Sequence, residues 1–288
     1  MKAIHSSHGE RGLTLIELLI SMVIGLVVVG AVIVSFIGSG RAGRYQAAIG
    51  QMNQDAQVAL NLLAREVQMA GYISPGQTLG APGVFGCDGT VGTVPFTSPA
   101  ATGPVTCGAN TGTTVSALEV VYEADTYTTV PAGVSNLPSD CLGNQLTIAG
   151  TIYIARNRFY IDTSSSGRRE LHCASNTGNT PQPLIENVDD MQLWYGVAAS
   201  AAPTQVIRFV RAGKDATSTD TVNGQGAAEW NNVNSVRICL LMRSSEPILT
   251  GEDTLSYADC YGTTQTPTDK YLRRAFFTTA TIRTKMTS

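Results

Sequence analysis

An α+β architecture, with one long N-terminal helix packed on an antiparallel β-sheet, is the fold class the sequence predicts, on three features. No charged side chain interrupts the apolar run from Leu18 to Ile37, and apolar residues then continue at helical spacing from Arg41 to Ala70. Beyond Pro75 the chain changes to Gly, Pro, Thr and Ser, with short β-type runs between them. All six cysteines lie in this second part.

The run from Leu18 to Ile37 has about the 20 residues that a helix needs to cross a bilayer core. A secretory signal peptide would hold an apolar core of only about 7 to 15 residues, and this run is longer and leads into more helix. Tyr45, Ile49, Met52, Ala56, Ala59, Leu63, Val67 and Ala70 recur three and four apart, which places one apolar stripe on a helix. Gln51, Asn53, Gln54, Asp55, Gln57, Asn61 and Glu66 fall on its wetter side. The two stretches read as one helix over 13–70, roughly 87 Å long at about 1.5 Å per residue. A transmembrane part over 13–37 is followed by an amphipathic continuation over 38–70. The glycines at 38, 40, 43 and 50 each cost about 1 kcal/mol relative to Ala, and they predict a bend or soft spot. Gly71 is placed as a left-handed cap, and Pro75 prevents continuation.

Residues 71–288 read as a β-rich, disulfide-bonded domain. Within it, 76–116 reads as a long loop region tied by two cysteines. Strands are expected at Ala117–Tyr122, Gln145–Ile154, Arg158–Asp162, Glu170–Cys173, Met191–Val197, Val206–Val210, Val233–Arg243 and Arg274–Arg283. The turn residues Ser164 to Gly167 make a hairpin of the third and fourth. Trp194, Tyr195, Trp230 and Phe276 are expected as core aromatics. Cys87, Cys107, Cys141, Cys173, Cys239 and Cys260 contain no CxxC pair and no cysteine-histidine cluster, so they read as disulfides formed in an oxidising compartment rather than as metal ligands. Six cysteines allow 15 pairings. Pairing of neighbours is preferred: Cys87 with Cys107, Cys141 with Cys173, Cys239 with Cys260.

Several function classes are disfavoured. The net charge of −3 and the lack of a Lys/Arg run argue against nucleic-acid partners. Of the three histidines, only His172 lies outside the N-terminal segment, so a nucleophile has one available base and no catalytic constellation emerges. Asp189 and Asp190 are adjacent, and in a regular strand they would face opposite sides and not form an acid/base pair. The chain is therefore read as a non-enzyme without cofactor or metal. A disulfide-tied Thr/Ser/Asn-rich surface would also suit an adhesin or lectin.

One carboxylate, Glu17, stands inside the apolar region, where a charge costs a few kcal/mol on insertion scales and normally has a partner and a task. Before it come Met1 to Gly12, a short polar segment made basic by Lys2 and Arg11, and then Leu13-Thr14-Leu15-Ile16. This junction resembles the type IV prepilins. The resemblance implies a leader over 1–12, cleavage by a prepilin peptidase between Gly12 and Leu13, N-methylation of Leu13, and the type IV pilin fold. It also implies that Glu17 pairs with the N-terminal ammonium of a neighbouring subunit and so fixes filament register. Leu13 stands where Phe is commonest, and no Pro interrupts the helix.

Met69-Ala70-Gly71-Tyr72, the segment Glu186 to Gly196, Trp230 to Val233 with Val236-Arg237-Ile238, and Arg274-Ala275-Phe276-Phe277 look like the PilW minor pilins. That resemblance implies a subunit that joins and primes the type IV pilus and supports piliation, twitching motility and adhesion. Implied partners are other minor pilins, the major pilin, the prepilin peptidase, the assembly platform, inner-membrane lipid and an adhesin at the tip. The implied location is a single pass through the inner membrane, with the C-terminal domain in the periplasm, and the extracellular pilus after assembly. The J-type pseudopilin of type II secretion is the alternative of similar plan.

Overall fold

The computed structural model describes residues 14–89, 115–133, 136–178, 180–199, 202–213, 221–223, 227–251 and 253–286. Two compact units divide the chain, Met1–Ala47 and Ala48–Ser288.

Helix α1 (Leu15–Met69) begins in the first unit and runs unbroken through the glycines at 38, 40, 43 and 50. Every described residue from Thr14 to Ala47 is exposed. The helix contains an 18-residue window of mean hydropathy 2.9, long and apolar enough to cross a membrane.

In the second unit α1 buries Met52, Ala56, Ala59, Leu63 and Val67, all members of the predicted stripe. Ala56 and Ala59 carry only a methyl group, so the helix backbone can lie close to the sheet. Gly71 ends the helix at φ +74°, a conformation that costs glycine little. Its N–H donates to the Val121 carbonyl at 2.9 Å. Gly83 passes so close that a Cβ there would lie 2.4 Å from the Gly71 nitrogen.

One sheet is built from β1 (Val84–Gly89), β2 (Val115–Ala124), β3 (Ile148–Ala149), β4 (Ile152–Thr163), β5 (Arg169–Ser175) and β6 (Gln182–Glu186). Its order is β1-β2-β4-β5-β6, with β3 on β4, and its pairs are antiparallel. The other sheet is built from β7 (Val188–Ala199), β8 (Ala202–Gly213), β9 (Thr221–Asn223), β10 (Val233–Arg243) and β13 (Arg273–Thr281), in the order β13-β10-β7-β8-β9. It is antiparallel except where β9 runs parallel to β8. A one-turn helix α2 (Ala227–Trp230) precedes β10, and the small hairpin β11 (Tyr257–Ala258) with β12 (Thr264–Gln265) precedes β13.

The main hydrophobic core takes in the α1 stripe from Met52 to Ala70, Leu118, Val120 and Phe159 of the first sheet, and Tyr195, Val236 and Ile238 of the second. Polar contacts also join the sheets. The Leu193 N–H donates to Ser116 Oγ at 3.2 Å, Ser116 Oγ donates to Asp88 at 3.0 Å, and Asp88 pairs with Arg211 at 3.1 Å. Gly86 faces the Tyr195 hydroxyl so closely that no side chain fits between them.

Three sequence expectations need correction. Gln145–Ile154 is not one strand: Gly150, at φ +71°, turns β3 back on β4, and β4 then runs straight through to Thr163. Part of the expected loop region is strand, because β1 and the start of β2 lie inside 76–116. Trp194 and Phe276 are only partly buried, while Tyr195 and Trp230 are core aromatics at 0% and 2% exposure. In β7 alternate residues face opposite sides, so Trp194 points away from the core that holds Tyr195 and packs on Tyr261 instead.

Candidate functional site

The strongest functional signal in the sequence sits at the head of α1. Glu17 is exposed and forms a reciprocal pair with Thr14. The Thr14 N–H and hydroxyl donate to Glu17 Oε2 at 3.0 and 2.9 Å, and the Glu17 N–H donates to Thr14 Oγ1 at 3.4 Å. This is a capping box, which satisfies N–H groups that the first helical turn otherwise leaves open. The Thr-x-x-Glu spacing of Thr14 and Glu17 carries that signal in the sequence. Gly12 and Leu13 lie outside the described residues.

From Leu15 to Ile37 the helix exposes apolar side chains on all sides, with Leu15 at 79% and Phe36 at 80%. Such a surface is stable only against lipid or other apolar helices.

The second half of α1 is fixed to the first sheet through Asn157. Its Nδ2 donates to Glu66 at 3.0 Å and to the Tyr122 hydroxyl at 3.2 Å, and its Oδ1 accepts the Cys141 N–H at 3.2 Å. Glu66, expected on the wetter side, is partly buried. Burial pushes its carboxyl up to about 7, against the opposing effects of the Asn157 hydrogen bond and the nearby Arg65 charge.

Two disulfides close loops of the second unit, Cys141–Cys173 and Cys239–Cys260. Cys87 is also disulfide-bonded, and Cys107 lies outside the described residues. Among the described residues, no group of three or more His, Cys, Asp or Glu side chains is arranged to hold a metal.

Charged pairs elsewhere have structural partners. Glu119, fully buried, takes Arg156 at 2.9 Å on one oxygen and Arg158 at 2.6 Å on the other. His172 Nε2 lies 3.2 Å from Glu170. Asp189 and Asp190 depart from expectation, since both line one cavity. The register of β7 against β10 slips between them, Asp190 facing Leu241 and Val188 facing Met242. Asp189 is the extra residue of a bulge, which turns a side chain out of strict alternation. They have different partners, Asp189 with Arg273 and Arg243, Asp190 with Gln192.

Residues 158–284 match the profile of the family described as type IV pilus-assembly protein W, and residues 7–33 match the prokaryotic N-terminal methylation motif. No curated protein matches. Among solved structures, a type IV-like pilin from Thermus thermophilus is similar over 83% of this chain and 100% of its own, at 12% identity and a TM-score of 0.38. The methylation motif covers the head of the apolar helix and the W profile runs from β4 to the C-terminal end of β13 and just beyond, so at both ends the chain is similar to the W-type minor pilins of type IV pilus assembly.

Proposed function

We propose that this subunit enters the type IV pilus through its N-terminal helix and primes assembly, acting stoichiometrically and without catalysis of its own. The observation that carries this reading is the exposed apolar surface of α1 from Leu15 to Ile37 with one carboxylate, Glu17, at its head. In this reading the helix rests first in the inner membrane with the disulfide-bonded unit in the periplasm. A prepilin peptidase cuts between Gly12 and Leu13, and Leu13 is methylated. The assembly platform then transfers the helix from lipid into a bundle of pilin helices. There Glu17 meets the Leu13 ammonium of a neighbouring subunit, which neutralises a charge that is costly at membrane depth. Other minor pilins, the major pilin and a tip adhesin are the partners that follow, and piliation, twitching and adhesion are the activities served.

A deletion strain tests this. Surface pili and twitching should fall while secretion of type II substrates continues. Normal pili with blocked secretion would instead assign the chain to the secretion pseudopilus.

A further inference from the structure

The second sheet holds a cavity that the assembly role leaves unused. On β10, Val236, Ile238, Leu240 and Met242 enter the main core, whereas Cys239 and Leu241 face the other way and cluster with Cys260. The Cys239–Cys260 disulfide therefore fastens the β11–β12 hairpin to the outer face of the sheet. Beside it, where Gly167 of the β4–β5 turn and Arg169 at the start of β5 approach, lies a cavity of about 600 Å³.

Its walls carry three guanidinium groups, of Arg169, Arg243 and Arg273, and three carboxylates, of Asp189, Asp190 and Asp259. The charges cancel in number and partly in contact, since Asp189 lies 2.6 Å from Arg273 and 3.7 Å from Arg243. Such a wall offers little net attraction to a strongly charged ligand. Hydrogen-bonding capacity remains. Exposed Arg169 uses one Nη on the Asp189 carbonyl at 2.7 Å, which leaves four of its five N–H donors. The Tyr257 hydroxyl has no hydrogen-bond partner among the described residues. Asp190 accepts from the Gln192 amide at 3.0 Å on each oxygen and keeps further lone pairs. Tyr257 and Tyr261 add aromatic surface to the same wall.

We propose that this cavity binds a neutral, polyhydroxylated ligand, a segment of glycan. Vicinal hydroxyls both donate and accept, which suits a carboxylate and a guanidinium side by side, and the tyrosines offer apolar surface to the C–H face of a sugar ring. The wall is preorganised. Asp259 accepts the N–H groups of Tyr261 and Thr263, each at 2.9 Å, and with the disulfide it holds the hairpin before any ligand arrives. Binding would belong to the isolated subunit as well as to a filament, so this inference and the assembly reading can fail separately.

The test uses the full chain in lipid nanodiscs, because maltoside detergents would compete. The protein is applied to an array of neutral, sialylated and sulfated oligosaccharides. Neutral probes should be retained, and Arg169→Gln and Asp190→Asn should each weaken retention about 10-fold, the loss of about 1.4 kcal/mol, without lowering the melting temperature. Arg169 is exposed, so its variant keeps the test usable should Asp190→Asn unfold. Retention of sialylated or sulfated probes alone, retention of none, or undiminished retention by Arg169→Gln would overturn the proposal.

Discussion

Asn157 donates a hydrogen bond of 3.0 Å to Glu66, and through it the carboxyl of a helix residue is held against the first sheet. Burial lifts that carboxyl from its ordinary 4.5 to about 7, so the folded chain holds a proton that the unfolded chain has released. The resulting stability is fully present below about pH 4.5 and is lost as the pH rises through about 7. Melting temperature should therefore fall over that window. Glu66→Gln keeps a hydrogen-bonding amide and removes the titration. It should match the parent near pH 4.5 and exceed it by about 1 to 3 kcal/mol at pH 8. Parallel melting curves for parent and variant across the window would show that Glu66 titrates normally.

The helix was legible in the sequence because its signals are local: uninterrupted apolar residues, a stripe at helical spacing, and Gly71 at its end. The strands from 117 onward were legible where β-branched residues and turn signals alternate. β1 was missed because Val84-Phe85-Gly86-Cys87-Asp88-Gly89 has two glycines in six residues and reads as loop. Gly86 has a packing reason, since only a bare backbone fits against Tyr195. Glu66 and Asn157 are 91 residues apart, and no periodicity reports such a pair. The cavity was hidden for the same reason, and the bulge at Asp189 depends on register with β10, a property of two strands together. Glu17 was found, but its partner Thr14 was read as motif and not as cap.

Glu119 should be the most sensitive charged residue of the first sheet. Both of its carboxylate oxygens are engaged by arginines, and it is itself wholly buried. Glu119→Gln removes a negative charge but leaves the Arg156 and Arg158 guanidiniums in place. Removing one partner of a buried pair costs about 3 to 5 kcal/mol. Chemical denaturation of Glu119→Gln should show a loss of this order. A change under about 1 kcal/mol would mean that other groups around the two arginines supply the compensation.

Opening Cys239–Cys260 should act locally and globally. The bridge spans 21 residues, and closing a loop of that size stabilises by about 3 kcal/mol through the unfolded chain. A Cys239→Ala/Cys260→Ala double variant should lose about that much. Hydrogen exchange should rise first in the β11–β12 hairpin, because the core side of β10 is packed independently of the bridge. Uniform loss of protection through the whole sheet would contradict this separation.

The last prediction separates two tasks that Glu17 combines. In the isolated chain its carboxylate accepts from the Thr14 N–H and hydroxyl, so Glu17→Ala removes both the cap and the group proposed to meet a neighbouring subunit. Thr14→Ala divides them. It deletes the Thr14 hydroxyl, which donates to Glu17 Oε2 and accepts the Glu17 N–H, yet keeps the carboxylate available to a neighbour. A lost cap costs about 1 kcal/mol, a small term beside the packing of a long apolar helix. A carboxylate left without its ammonium at membrane depth, or an ammonium left without its carboxylate, costs several times more. Thr14→Ala protein should therefore appear in sheared pili at near the parent level. Glu17→Ala protein should insert in the membrane, fold, and remain absent from pili. If both variants are excluded equally, the capping box is what assembly requires, and the proposed contact between Glu17 and a neighbouring N-terminus fails. If both are incorporated, the carboxylate has no part in entry to the filament, and the apolar surface of α1 must be sufficient for it.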